Sequence, residues 1–273
     1  MPASPAPLPE IPEHGAGEAI APLYADIRAR LGARAVPLLY RVLAVEEGCL
    51  PWAWNILGPC ASGGVLHHMG AAARLAVPAP ARMPPAAACR LAGLDDGAMR
   101  AAAAIVSAFN HANPLNLAAL VILEEAARSG LAPRADMHAA AVAPTPQPLH
   151  LPSETSEDAR AAMRFLASCG FRRPVPAMPT LWTALAAHPP ALALAAAALA
   201  SDFASGEIER EAETIIAACR TTFAILPMAL VTPPVPAAAA HLARLTPFFA
   251  ETIPTMIAIG ARLHPLFDED QSP

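Results

Sequence analysis

The chain has 273 residues, a formal net charge of −5, and 55% hydrophobic against 15% charged residues. That mild acidity predicts no nucleic-acid partner. All 18 basic residues are arginine, which excludes lysine-dependent chemistry: Schiff bases with PLP or a carbonyl substrate, and the P-loop and kinase phosphate contacts.

The stretch from Met1 to Gly15 is rich in proline and lacks the apolar segment of a secretory signal. A helix is predicted from about Gly17 to Leu31, with Leu23, Ile27 and Leu31 on one stripe and Gly32 as its stop. Asp95-Asp96 caps a long helix through Met99, Ile105 and Phe109. Pro114 is placed as the first residue of a separate helix, with Leu115, Leu120 and Ile122, ending near Gly130. The Pro-rich stretch that follows reads as a linker. Thr155 and Asp158 stand in capping-box spacing at the next helix start. Further helices are predicted near Pro179–Ala187, Pro190–Asp202, Gly206–Ile225 and Thr246–Arg262, with Pro254 breaking or kinking the last.

Alternating strand patterns are hard to find, so an all-α fold is expected. The most apolar run, Ala191 to Ala200, is about half the span of a membrane helix, so no membrane association is expected. Heavy use of Ala, Arg and Pro suggests a GC-rich bacterial gene. The five cysteines, at 49, 60, 89, 169 and 219, form no CxxC and read as reduced thiols of a cytoplasmic protein. The histidines lack metal-ligand spacing, and neighbouring His67 and His68 point about 100° apart on a helix. No metal and no cofactor is expected.

Two segments echo each other. Pro37-Leu-Leu-Tyr-Arg-Val-Leu-Ala44 returns as Pro179-Thr-Leu-Trp-Thr-Ala-Leu-Ala186, shifted by 142. Phe109-Asn-His-Ala-Asn-Pro114 returns as Phe249-Ala-Glu-Thr-Ile-Pro254, shifted by 140. Nearly equal shifts imply a duplication: one helical repeat over 16–126, a linker over 127–152 and a second repeat over 153–266. A pseudo-twofold pair of this kind would bury its apolar faces together and line a pocket from both copies.

No strong chemical motif is present, so candidate groups are polar residues in apolar surroundings. Asn110, His111 and Asn113 join two apolar stretches and either cap helix ends or meet a ligand. Glu251 holds the position equivalent to His111. It is either a solvated carboxylate or the partner of His111 near the axis, where such a pair could activate water. Trp52, Trp54 and Trp182 suit a core.

Several local patterns resemble the group I 2-haloacid dehalogenases, the DehI-type family. They are Tyr24-Ala-Asp-Ile-Arg28, Arg41-Val-Leu-Ala44, Gly48-Cys-Leu-Pro51 followed by Ala53-Trp54, Gly93-Leu-Asp-Asp-Gly97 and Ala108-Phe-Asn-His-Ala-Asn-Pro114. The match covers about Tyr24 to Glu125 and thins in the second half. It implies an all-α fold of two repeats with the active site between them. It implies hydrolysis of 2-haloalkanoic acids of either hand, in which an aspartate activates a water that attacks the halogen-bearing carbon directly. The water-holding asparagine maps to Asn113. The aspartate position falls at Leu181, beside Thr180, and no Asp occurs between Ala159 and Ser201. Two large pocket aromatics of the family correspond to Ala35 and Leu38. The substrate wall expected on this register comprises Ala35, Leu38, Thr180, Leu181, Trp182 and Asn110. A homodimer is expected from the family alone. Three functions follow: the family's hydrolysis, an altered acid–base reaction at His111 and Glu251 with Asn113, or binding of a small apolar ligand without turnover.

Overall fold

A computed structural model of the chain describes residues 8–77, 86–135, 149, 152, 154–171 and 177–267. Its helices are α1 (Ala21–Leu31), α2 (Leu38–Leu43), α3 (Cys49–Ser62), α4 (Val65–Leu75), α5 (Ala86–Leu91) and α6 (Asp96–Ser129) in the first half. In the second they are α7 (Glu157–Gly170), α8 (Thr180–Leu185), α9 (Pro189–Ser205), α10 (Glu207–Ala224) and α11 (Pro236–Phe267). A one-turn 3-10 helix spans Glu13–Gly15. The fold is all-α apart from an antiparallel ribbon, β1 (Leu131–Pro133) against β2 (Met228–Leu230), in register Ala132 to Ala229.

Packing recurs between the halves. α1 lies on α3, α3 on α4 and α4 on α6; in the same order α7 lies on α9, α9 on α10 and α10 on α11. The halves join mainly through α6 against α11. Each short helix crosses over: α8 packs on α6, and α2 on α11. One continuous core runs through both halves.

The start of α6 follows the sequence. Asp95 caps it, accepting from the Ala98 amide at 2.7 Å. Pro114 does not begin a new helix, because α6 runs through it to Ser129 and into the stretch expected as linker. An internal proline removes one hydrogen bond and crowds one carbonyl, a cost of about 3 kcal/mol. Here Pro114 to Leu123 are buried, and packing on that scale offsets it. Pro254 likewise lies inside a continuous α11, which begins ten residues before the expected start. The cap of α7 is Ser156 rather than Thr155; its hydroxyl accepts from the Ala159 amide. The three-residue ribbon is too short for strand periodicity to be visible. Most of the expected linker lies outside the described residues.

α6 is long and apolar enough to cross a membrane, yet 61% of its apolar window is buried in the fold, as for a core helix. α9 and α10 meet at an 80° bend over Gly206, whose φ of +69° disfavours any residue with a side chain. At that bend sits a buried ionic cluster. Arg262 of α11 grips Glu211 of α10 through two hydrogen bonds, one of 2.7 Å. Its Nε donates to Asp202 of α9 at 2.6 Å, and Glu207 stands 3.4 Å away.

Candidate functional site

A cavity of about 550 Å³ lies between the halves. Four positions of α6 face it, Phe109, Ala112, Asn113 and Asn116, with Ala108 at their edge. From α11 come Phe249, Thr252, Ile253 and Met256. Both sets follow i, i+3, i+4, i+7, one face of a helix. Each α11 position equals an α6 position plus 140. Pro37, Leu38 and Leu39 line the cavity together with Pro179, Thr180 and Leu181, their equivalents at 142. Leu149 adds to the rim.

The cavity brings together Asn113, Ala35, Leu38, Thr180 and Leu181 among the residues singled out from sequence. Leu181 is 1% exposed and belongs to both wall and core. Four expectations fail on geometry. Trp182 is fully buried one residue beyond the wall and does not line the cavity. Asn110 turns away from it and donates from Nδ2 to the Gly260 carbonyl at 2.9 Å, clamping α6 to α11. His111 sits two residues from both Phe109 and Asn113, about 200° around the helix from each. Its Nε2 donates to the Leu31 carbonyl at 2.8 Å, and its ring lies 6.4 Å from that of His67. Glu251, rotated away by the same rule, lines a separate hollow with Glu209 and Glu213. His111 and Glu251 therefore form no acid–base pair.

Several cavity groups escaped the sequence reading. Asn116 and Thr252 are buried, 5% and 9% exposed, and Asn116 Oδ1 and Thr252 Oγ1 find no hydrogen-bond partner among the described residues. Stepping one turn from Asn113 would have found Asn116, and the 140-residue shift applied to Ala112 would have found Thr252. The N-terminal stretch, over 8–15, straps across the cavity and contributes Glu10, Pro12, Glu13 and His14. The Ile11 amide donates to the Arg41 carbonyl at 3.0 Å, and the Tyr24 hydroxyl donates to the Ile11 carbonyl at 2.8 Å. Burial pushes the Tyr24 pKa up to about 12, so that donor keeps its proton at neutral pH. Glu13 accepts from the Val36 amide at 2.6 Å and pairs with Arg28 at 3.2 Å. Glu10 pairs with Arg41 at 3.4 Å. Both wall carboxylates are thus engaged with arginines.

Three buried thiols offer no nucleophile at neutral pH. Burial pushes Cys49 and Cys60 up to about 11 and Cys219 up to about 12. Among the described residues no cluster of His, Cys, Asp or Glu could hold a metal.

His67 has a depressed pKa, first through burial and then through His111 and Arg74. The folded state holds this ring neutral, while the unfolded chain protonates it near about 6.5. Below that pH the unfolded state binds more protons, so this contribution to stability is present at higher pH and is lost as pH falls towards the folded pKa. Urea midpoints at about pH 7.5 and pH 5 should differ less in His67→Asn than in the parent chain; equal differences would refute the assignment.

No protein-family model matches the chain, and no curated protein sequence matches it. Three solved structures share its fold over 98% of both chains. A D-2-haloacid dehalogenase mutant aligns with a TM-score of 0.82 at 16% identity. A D-2-haloacid dehalogenase with L-LA gives 0.81 at 16%, and a mutant in complex with D-2-CPA gives 0.78 at 15%. At such identities the likeness shows a shared fold.

Proposed function

We propose that the chain takes a small 2-substituted carboxylic acid, of the 2-haloalkanoic type, into the cavity between its halves. Direct water attack on that ligand is reduced to a remnant by the leucine at position 181. The observation that carries this reading is the wall itself. Leu181 stands beside Thr180, where the family resemblance calls for a carboxylate, and Asn113 lines the same cavity, where it can hold water or ligand. Removing a general base lowers a rate about 100- to 10,000-fold. The fold likeness to D-2-haloacid dehalogenases supports the ligand class. The matching cavity positions support descent of the two halves from one duplicated unit.

Halide release from either enantiomer of 2-chloropropionate tests this. The expected rate is about 0.1 per second or slower, a typical turnover less the missing base. Turnover at tens per second would overturn the remnant-activity reading. A second reading, a non-catalytic binder of a small apolar molecule, rests on the wall of Phe109, Phe249, Ile253, Met256, Leu38 and Leu181. Native mass spectrometry distinguishes the two: an apolar molecule retained on purification, with no affinity for 2-chloropropionate, favours the binder.

A further inference from the structure

We propose that Arg41 is the carboxylate anchor of the cavity and that the Glu10 side chain occupies its guanidinium until an acid ligand displaces it. This rests on the reading of the cavity as an acid-binding site and adds how the acid is recognised.

The chain shows two ways of holding a buried arginine. Arg262, with its side chain 6% exposed, is saturated: a two-pronged grip on Glu211 and a 2.6 Å bond to Asp202. Arg41 is nearly as enclosed, its side chain 16% exposed, but among the described residues its one ionic partner is Glu10, loosely held at 3.4 Å. Its Nε finds no hydrogen-bond partner among the described residues. A guanidinium presents five donors in a planar fork suited to two carboxylate oxygens at about 2.7–2.9 Å. One distant oxygen leaves that capacity mostly unused, at a desolvation cost that a better-seated anion would offset. Arg41 lines the cavity, and Arg34 on the same wall adds positive potential. Arg28 also has an unpartnered Nε, but it does not line the cavity.

Glu10 is placed to yield. Its side chain is 32% exposed, so it can turn into water. The backbone beside it stays fixed, because Ile11 is held through its amide by Arg41 and through its carbonyl by Tyr24. An arriving carboxylate therefore replaces one side chain and leaves the strap in place. Its organic body then extends towards Leu38, Leu181 and Asn113. The ligand class that fits is a monocarboxylate with a short apolar chain.

Calorimetry with 2-chloropropionate and its neutral counterpart 2-chloropropionamide tests the assignment. Glu10→Gln removes the competing charge and should tighten acid binding about tenfold, with no gain for the amide. Arg41→Met should weaken acid binding about 10- to 100-fold. The double variant Ala112→Trp/Thr252→Trp, which builds two indoles into the cavity from α6 and α11, should block both probes. A merely structural Glu10–Arg41 pair predicts that Glu10→Gln leaves acid affinity unchanged or lowers it, and that result overturns the proposal. If the double variant blocks the acid while Glu10→Gln and Arg41→Met do not alter its affinity, the cavity reading stands and the anchor falls. If the acid still binds the folded double variant, or if neither probe binds the parent chain, both readings fall.

Discussion

Leu181→Asp is expected to raise halide release from 2-chloropropionate at least about 100-fold over the parent chain, the usual contribution of a positioned general base. Position 181 is 1% exposed and lines the cavity from α8, next to Thr180. Burial disfavours ionisation, so an aspartate there titrates above the ordinary carboxylate range, closer to the neutral pH at which a base works best. Water held by Asn113, which lines the same cavity, is the intended proton donor. Leu181→Asn supplies the control, since it has nearly the same shape and polarity but cannot take a proton. Both variants lose core packing and should unfold at lower temperature, and only the aspartate should gain rate. If the two are equally inactive while still binding the acid, position 181 is not where a base belongs in this chain.

Arg262→Met is expected to cost about 3–5 kcal/mol of stability, because it leaves Glu211 buried without its counter-ion. At about 2–4 °C per kcal/mol for a chain approaching this size, the thermal midpoint should fall by roughly 6–20 °C. Asp202 and Glu207 lose the same partner, but they are more exposed and add less. The Arg262→Met/Glu211→Gln double variant should recover much of the loss, since no buried charge is then stranded. Strict additivity of the two changes would show that the grip between them carries little energy.

The helical class was legible because apolar residues recur at helical spacing and Asp95 and Gly130 are conventional ends for α6. The continuity of α6 and α11 was not. A proline looks like a boundary in isolation, and only burial of the neighbouring turns shows that the helix survives it. The echoes of Pro37 in Pro179 and of Phe109 in Phe249 pointed to positions that all line the cavity. Asn113, Thr180 and Leu181, singled out from the sequence, all line the one cavity. His111 and Glu251 misled because rarity of charge was weighed ahead of direction. Two residues along a helix is more than half a turn, and that rotation carries both away from Asn113 and Ile253. Arg41 and Glu10 stayed hidden because their meeting depends on the path of the N-terminal strap, which no periodicity encodes.

The Asn110 clamp sets how closely the two longest helices can approach. At Gly260 a β-carbon would collide with the Asn110 side-chain oxygen, and at Gly70 it would press on Pro114 and Leu115 at 3.3 Å. Neither glycine lines the cavity. A single methyl group at 260 would push the Asn110 amide aside and break its bond to the Gly260 carbonyl, loosening α11 from α6 without altering the cavity lining. The size of molecule this scaffold admits can therefore drift through substitutions at such spacer positions, while the residues that meet the guest stay the same.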